Sequence, residues 1–250
     1  VIRRCLHRCG LALGLSLALP ASVDAALNVV GSRFIYPAQS EALSIRIGNG
    51  GQRPILVQAW LDRGDGSADP STVQVPFVLS RPLSRVEPQE KYALQLRYTG
   101  EPLPDDRESL FWLNLLEVPS RDEGRDNLLL LSYRLRMKVL FRPRGLPGDP
   151  RAAAGQVAWR LLPAASPGKL AVLEADNRSP YHVSLTRLEL REGDVAIALG
   201  HPTLPPFSRA PLPLPKPARA GARVHYEVVD DQGRIEVGVA STGPPVAEHP

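Results

Sequence analysis

From Ala26 onward, apolar and polar residues alternate in short runs broken by turn-forming residues. Ala42-Leu43-Ser44-Ile45-Arg46-Ile47 has period two and stops at Gly48-Asn49-Gly50-Gly51, the pattern of a half-buried strand ending in a turn. Ile55–Leu61, Val75–Ser80, Tyr92–Tyr98 and Ser109–Leu115 repeat it, and a longer run covers Leu128 to Phe141. About seven short strands within roughly 120 residues predict an immunoglobulin-like sandwich. Arg142-Pro143-Arg144-Gly145-Leu146-Pro147-Gly148-Asp149-Pro150 carries no periodicity and many turn formers, so it reads as a linker.

A second set of runs follows: Val157–Leu162, Leu170–Ala175, Val183–Leu190, Val195–Leu199, Val224–Val229 and Ile235–Val239. They predict a smaller β-sandwich, giving domains over 26–146 and 147–250. His201 to Pro217 has seven Pro in seventeen residues, which predicts a stiff, polyproline-like loop. Composition narrows the class further. The chain of 250 residues contains 26 Pro, and each Pro inside a helix costs about 3 kcal/mol. A helix bundle and a βαβ-repeating fold are therefore excluded, leaving an all-β protein. Disorder is excluded too, because 43% hydrophobic residues with a net charge of +4 is a globular composition.

Residues 1–25 are read apart from the fold. A basic stretch, Arg3-Arg4 and Arg8, precedes the apolar run Leu11–Leu19, and Val23 and Ala25 suit a cleavage site after Ala25. The apolar run is too short to cross a bilayer core of about 30 Å. A cleaved signal peptide and export to the periplasm are expected, with no membrane insertion after cleavage. Cys5 and Cys9 both lie in the leader, so the mature chain has no Cys. The leader also holds three of the 30 basic and one of the 26 acidic residues, leaving 27 against 25. So small a surplus, without a basic run, excludes a nucleic-acid partner.

No catalytic constellation emerges. His182, His201, His225 and His249 lack metal-ligand spacing, and no nucleophile elbow or phosphate-cradling Gly loop is present. Asp62 to Asp69 is acidic but lacks the register of a calcium loop, and it reads as a solvated hairpin loop. Neither enzyme activity, a metal nor a cofactor is expected. The run Asn127 to Phe141 is the anomaly, far longer than the usual strand of five or six residues. One parity is Leu129, Leu131, Tyr133, Leu135 and Met137; the other is Ser132, Arg134, Arg136 and Lys138. Such a strand either packs wholly on its own core or, if its edge is open, pairs with a foreign chain. A secreted adhesion or carbohydrate-binding sandwich is the alternative to a strand-donating protein at this point.

Five blocks decide between them by resemblance. Ser32-Arg33-Phe34-Ile35-Tyr36, Gln58-Ala59-Trp60, Arg107–Asn114 followed by Glu117-Val118-Pro119, Lys138–Pro143 and Asn177-Arg178-Ser179-Pro180-Tyr181-His182-Val183 resemble, in order and spacing, the motifs of the PapD-like periplasmic chaperones of the chaperone–usher pathway. The resemblance implies two immunoglobulin-like sandwiches in an L shape. It implies a function in fimbrial assembly: one pilin-like subunit at a time is capped by donor-strand complementation and delivered to an outer-membrane usher. Carried over position by position, it makes Leu129, Leu131 and Tyr133 the donor-strand residues. Arg33 and Lys138 become the pair that holds the subunit's C-terminal carboxylate. Glu108, Arg142 and Asp231 become an inter-domain ion network, with Asp230 an adjacent competitor for the last place. Three departures are visible, one of them the proline-rich segment 201–217, which is unlike the better-known members. The Pro119–Asn127 loop is short, as in the subclass serving rods or fimbriae, and Tyr133 is bulkier than the family's usual small aliphatic residue.

Overall fold

Alternating runs become strands because one face of each can be buried while the other stays wet. The computed structural model describes residues 26–120, 130–164, 166, 170–218 and 221–243, so the leader and Leu129 lie outside the described residues. The first half forms β1 (Leu27–Val29), β2 (Arg33–Pro37), β3 (Leu43–Asn49), β4 (Ile55–Asp62), β5 (Phe77–Leu79), β6 (Leu83–Val86), β7 (Lys91–Tyr98), β8 (Ser109–Pro119) and β9 (Tyr133–Arg142). They make a four-stranded sheet ordered β1-β3-β7-β5 and a five-stranded sheet ordered β2-β9-β8-β4-β6. Ile45, Ile47, Leu94 and Leu96 from one sheet and Val57, Leu113, Leu115 and Val139 from the other are all buried in a common core. At one end of that core Phe77 meets Phe111 edge-on at 4.9 Å and Tyr36 stacks on Phe141 at 5.9 Å.

Two expectations change here. Strands β4 and β5 belong to different sheets, so the acidic stretch from Asp62 crosses between sheets and is no hairpin. The long run is a strand only from Tyr133, and Leu130–Ser132 precede the ladder. The short β1 and β6 lie outside the runs read from the sequence.

The second half begins with a 3-10 turn at Ala154–Gln156 and continues as β10 (Ala158–Leu162), β11 (Val172–Asn177), β12 (Val183–Glu192), β13 (Val195–Ala198), β14 (Thr203–Leu204), β15 (Ser208–Pro213), β16 (Arg223–Val229) and β17 (Ile235–Gly243). The ladder is continuous, β13-β12-β16-β17-β10-β11-β15, with β14 joined to β12. Its two halves are joined, β17 to β10, by only two parallel pairs, Trp159↔Thr242 and Arg160↔Gly243. Trp159, Leu173, Leu185, Leu188, Leu190 and Val224 fill the enclosed core. Gly238 is required there, because a Cβ would stand 2.1 Å from the Tyr226 ring that lies across it.

The proline-rich stretch is not a polyproline loop. It contributes β14 and β15, and β15 pairs in register with β11 from Asn177↔Ser208 to Val172↔Pro213. Pro211 and Pro213 share one parity of this edge strand. Their nitrogens, which have no hydrogen to donate, face away from the ladder, the arrangement that admits Pro at a sheet edge.

Candidate functional site

Strand β9 is covered on its two sides to different extents. On one side β8 pairs along its whole length, from Glu117↔Tyr133 to Ser109↔Phe141. On the other, β2 runs parallel to it only from Arg33↔Lys138 to Pro37↔Arg142. Among the described residues no strand pairs with that second edge from Tyr133 to Met137, so its backbone groups face outward. The side chains follow the same division. Met137, Val139 and Phe141 point into the core and are buried, whereas Leu131, Tyr133 and Leu135, on the same parity, are exposed. The apolar stripe simply runs past the end of its own sandwich.

The open edge stops at two cations. Arg33 is the first residue of β2 and sits directly opposite Lys138. The Arg33 Nη1 donates to the Val229 carbonyl at 2.7 Å, while its Nε is buried without a hydrogen-bond partner. Lys138 Nζ donates to Ser184 Oγ at 3.0 Å and Thr203 Oγ1 at 2.5 Å, and lies 5.5 Å from the Trp112 ring centre. Among the described residues, neither cation has a carboxylate oxygen within 4.0 Å. Burial and the neighbouring Arg33 charge lower the Lys138 pKa to about 8. Burial also lowers that of Arg33, against the pull of Asp231, Glu108 and Asp230. Two cations thus lie side by side with no carboxylate on either, and both are N–H donors of the kind that make charge-assisted hydrogen bonds.

Below them lies the anticipated ion network. Arg142 Nε donates to Glu108 Oε1 at 2.7 Å, and its Nη1 and Nη2 grip Asp231 at 2.6 and 2.9 Å. The second oxygen of buried Glu108 accepts the His182 backbone N–H at 2.8 Å, and the Glu108 N–H donates to the Pro180 carbonyl at 2.9 Å. Burial disfavours the Arg142 charge, but the bonds to Asp231 and the charge of Glu108 outweigh it and raise the pKa. The adjacent Asp230 goes elsewhere, to Arg234 at 2.8 Å.

A second cluster was not anticipated. Asp62 is buried on the outer face of the five-stranded sheet, receiving Arg136 at 2.6 Å, Asn114 at 2.7 Å and the Gly64 N–H at 2.6 Å. Burial opposes its ionisation, yet the bonds from Arg136 and Asn114 prevail and hold its carboxyl below the usual range. Arg134 lies over Trp60 at 4.8 Å and Arg136 over Trp112 at 4.6 Å. Trp159 is in the second core. All three Trp are thus taken, which leaves no Trp platform for a sugar ring. The run Arg134, Arg136, Lys138 carried part of this signal, but the Trp and Asp partners require the β4–β8–β9 register.

The chain is thus a two-domain β protein with a half-open strand that ends at two half-buried cations. Known proteins give that class a family. A family model for "Pili and flagellar-assembly chaperone, PapD N-terminal domain" matches residues 26–147, and one for "Pili assembly chaperone PapD, C-terminal domain" matches 152–239. The chain belongs to the PapD family of pilus-assembly chaperones. It is 37% identical over 243 residues to the Bordetella pertussis chaperone protein FimB/FhaD, covering 93% of this chain and 95% of that one. The crystal structure of the Pseudomonas aeruginosa CupB2 chaperone is similar with a TM-score of 0.73 at 34% identity, over 86% of this chain and all of that one. The Salmonella enterica SafB chaperone in complex with SafA pilin is similar at a TM-score of 0.70 and 27% identity, over 86% and 95% of the two chains.

Proposed function

We propose that this chain is exported to the periplasm, caps one pilin-like subunit at a time by donor-strand complementation, and delivers it to an outer-membrane usher. The observation that carries this is the open edge of β9, which ends where Arg33 meets Lys138. A subunit lacking one strand would pair with Tyr133–Met137 and bury the stripe of Leu129, Leu131 and Tyr133. Each such side chain contributes about 1.5–3 kcal/mol on burial, and the new ladder satisfies backbone groups on both chains. Its C-terminal carboxylate, held by Arg33 and Lys138, sets the register that a period-two strand leaves loosely specified.

In this division of labour residues 26–146 supply the donor strand and both cations. Residues 147–250 form the second wall of the site, tied to the first by Glu108, Arg142 and Asp231. Residues 1–25 serve as the cleaved leader. The SafB–SafA complex supports the choice of a pilin as partner, and the handover to an usher is the family's habit extended to this chain.

The test is co-expression in a periplasm with the pilin subunit encoded nearest this gene, followed by pull-down. Wild type is expected to recover the subunit, and Arg33→Ala or Lys138→Ala to lose most of it, by tenfold or more for one charge-assisted contact of about 1.5–3 kcal/mol. Undiminished recovery by both variants, each folded, would sink the carboxylate clamp.

A further inference from the structure

The proline-rich segment reaches the site from the second domain. Thr203 is the first residue of β14 and pairs directly with Ser184 of β12. Those two side chains are the ones that accept hydrogen bonds from Lys138 Nζ, across the boundary between the domains. The short strand is pinned from several directions. Leu204 is buried in the second core, and Asn177 Nδ2 donates to the carbonyls of Leu204 at 3.3 Å and Pro205 at 2.8 Å. The Leu185 N–H donates to the Pro202 carbonyl at 2.9 Å. Pro202 and Pro205 flank the pair with fixed backbone angles, so Thr203 is presented on a stiff support.

The chemistry of the two partners is selective. An ammonium has three N–H donors; the two hydroxyl oxygens occupy two and leave the third for an incoming acceptor. Hydroxyls aim the cation without neutralising it, whereas a carboxylate in either place would cancel the charge that a ligand has to find. Resting on the chaperone function proposed above, we infer that Thr203 and Ser184 are positioning residues for Lys138, and that the proline-rich segment exists in part to hold Thr203 there. The donor-strand domain thus owns the cation, while the other domain aims it. Arg33 is arranged in the same way, tethered to the Val229 carbonyl of β16.

The probe is a synthetic twelve-residue peptide of alternating Val and Thr, made with a free C-terminal carboxylate and as the C-terminal amide. Binding is followed by the fluorescence of the intact mature protein, whose Trp112 ring lies under Lys138. Wild type is expected to favour the acid over the amide. Lys138→Met is expected to bring that ratio close to one. The double variant Thr203→Val, Ser184→Ala, with Lys138 intact, is expected to cut the ratio about tenfold, the effect of one misplaced charge-assisted bond. Thr203→Ser, which keeps the hydroxyl, is expected to retain it. If Lys138→Met lowers the ratio while the double variant keeps it, the positioning role is wrong and the clamp stands. If wild type does not distinguish acid from amide, the clamp itself falls, and the positioning role with it. Loss of the ratio in Thr203→Ser equal to that in the double variant also overturns the inference, because packing alone would then explain the effect.

Discussion

Lys138 carries its charge where burial and a neighbouring Arg disfavour it, and its pKa of about 8 has two consequences of opposite sign. An anion bound beside it favours the charged form. Below about pH 8 the ammonium is already present in the free protein, so a carboxylate binds without proton uptake. Above that value a proton must be taken up first, and affinity for a free C-terminal carboxylate falls with rising pH. Stability moves the other way. The folded-state pKa lies below the ordinary lysine value of 10.5, so between the two the unfolded chain binds more protons and folding gains stability as pH rises. The groups facing the ammonium are Arg33, Ser184, Thr203 and the Trp112 ring. Calorimetric titration of the free-acid and amide peptides from pH 7 to 10 is expected to show the acid's advantage shrinking above pH 8. An advantage constant across that range would count against the site.

At the scale of the strand, β9 is core at one end and exposed at the other with no change in sequence pattern. Leu131 is 48% and Tyr133 37% exposed, so each contributes little to folding in the free protein. Leu131→Asp is therefore expected to leave stability within about 0.5 kcal/mol of wild type, in the range of surface substitutions. It is also expected to abolish subunit recovery, because a charge would enter the subunit's apolar groove. Chemical denaturation and pull-down on the same preparation separate the two effects. A marked loss of stability would mean that Leu131 packs on its own domain. The exposed stripe also explains why the element resisted reading. Leu131, Tyr133, Leu135, Met137 and Val139 look alike as letters, and only the length of the facing sheet decides which of them are covered.

For the whole molecule, the joint between the domains is concentrated on few groups. Glu108 is 2% exposed and serves Arg142 through one oxygen and the His182 N–H through the other. Glu108→Ala leaves the half-buried Arg142 guanidinium with Asp231 alone and strands the His182 backbone donor. Removing one partner of a buried pair costs about 3–5 kcal/mol, and urea unfolding is expected to show a loss of that size. Since Val229, Ser184 and Thr203 approach the cations from the second domain, subunit recovery should fall as well, even though Glu108 touches neither cation within hydrogen-bonding distance. A Glu108→Ala protein as stable as wild type would show that the domains are held by other contacts.

The sequence by itself determined the all-β class, because 26 Pro leave few windows for a helix and period-two runs recur throughout. It also singled out Arg33, Lys138, Glu108 and Arg142 as candidates, since they sit in blocks whose order and spacing resemble those of one family. Whether Asp230 or Asp231 completed the network was a matter of one residue. The two are adjacent just past the end of β16, and only the structure sends Asp231 to Arg142 and Asp230 to Arg234. Tertiary structure alone decided the rest. Asp62 became a buried node instead of a loop charge because β4, β8 and β9 align it with Arg136 and Asn114. The proline-rich stretch became an edge strand because β11 offered an unpaired ladder whose outer side tolerates Pro. Thr203 reached Lys138 across 65 residues, for a reason no local pattern encodes: hydrogen bonds depend on distance in space, and period and propensity describe only neighbours along the chain.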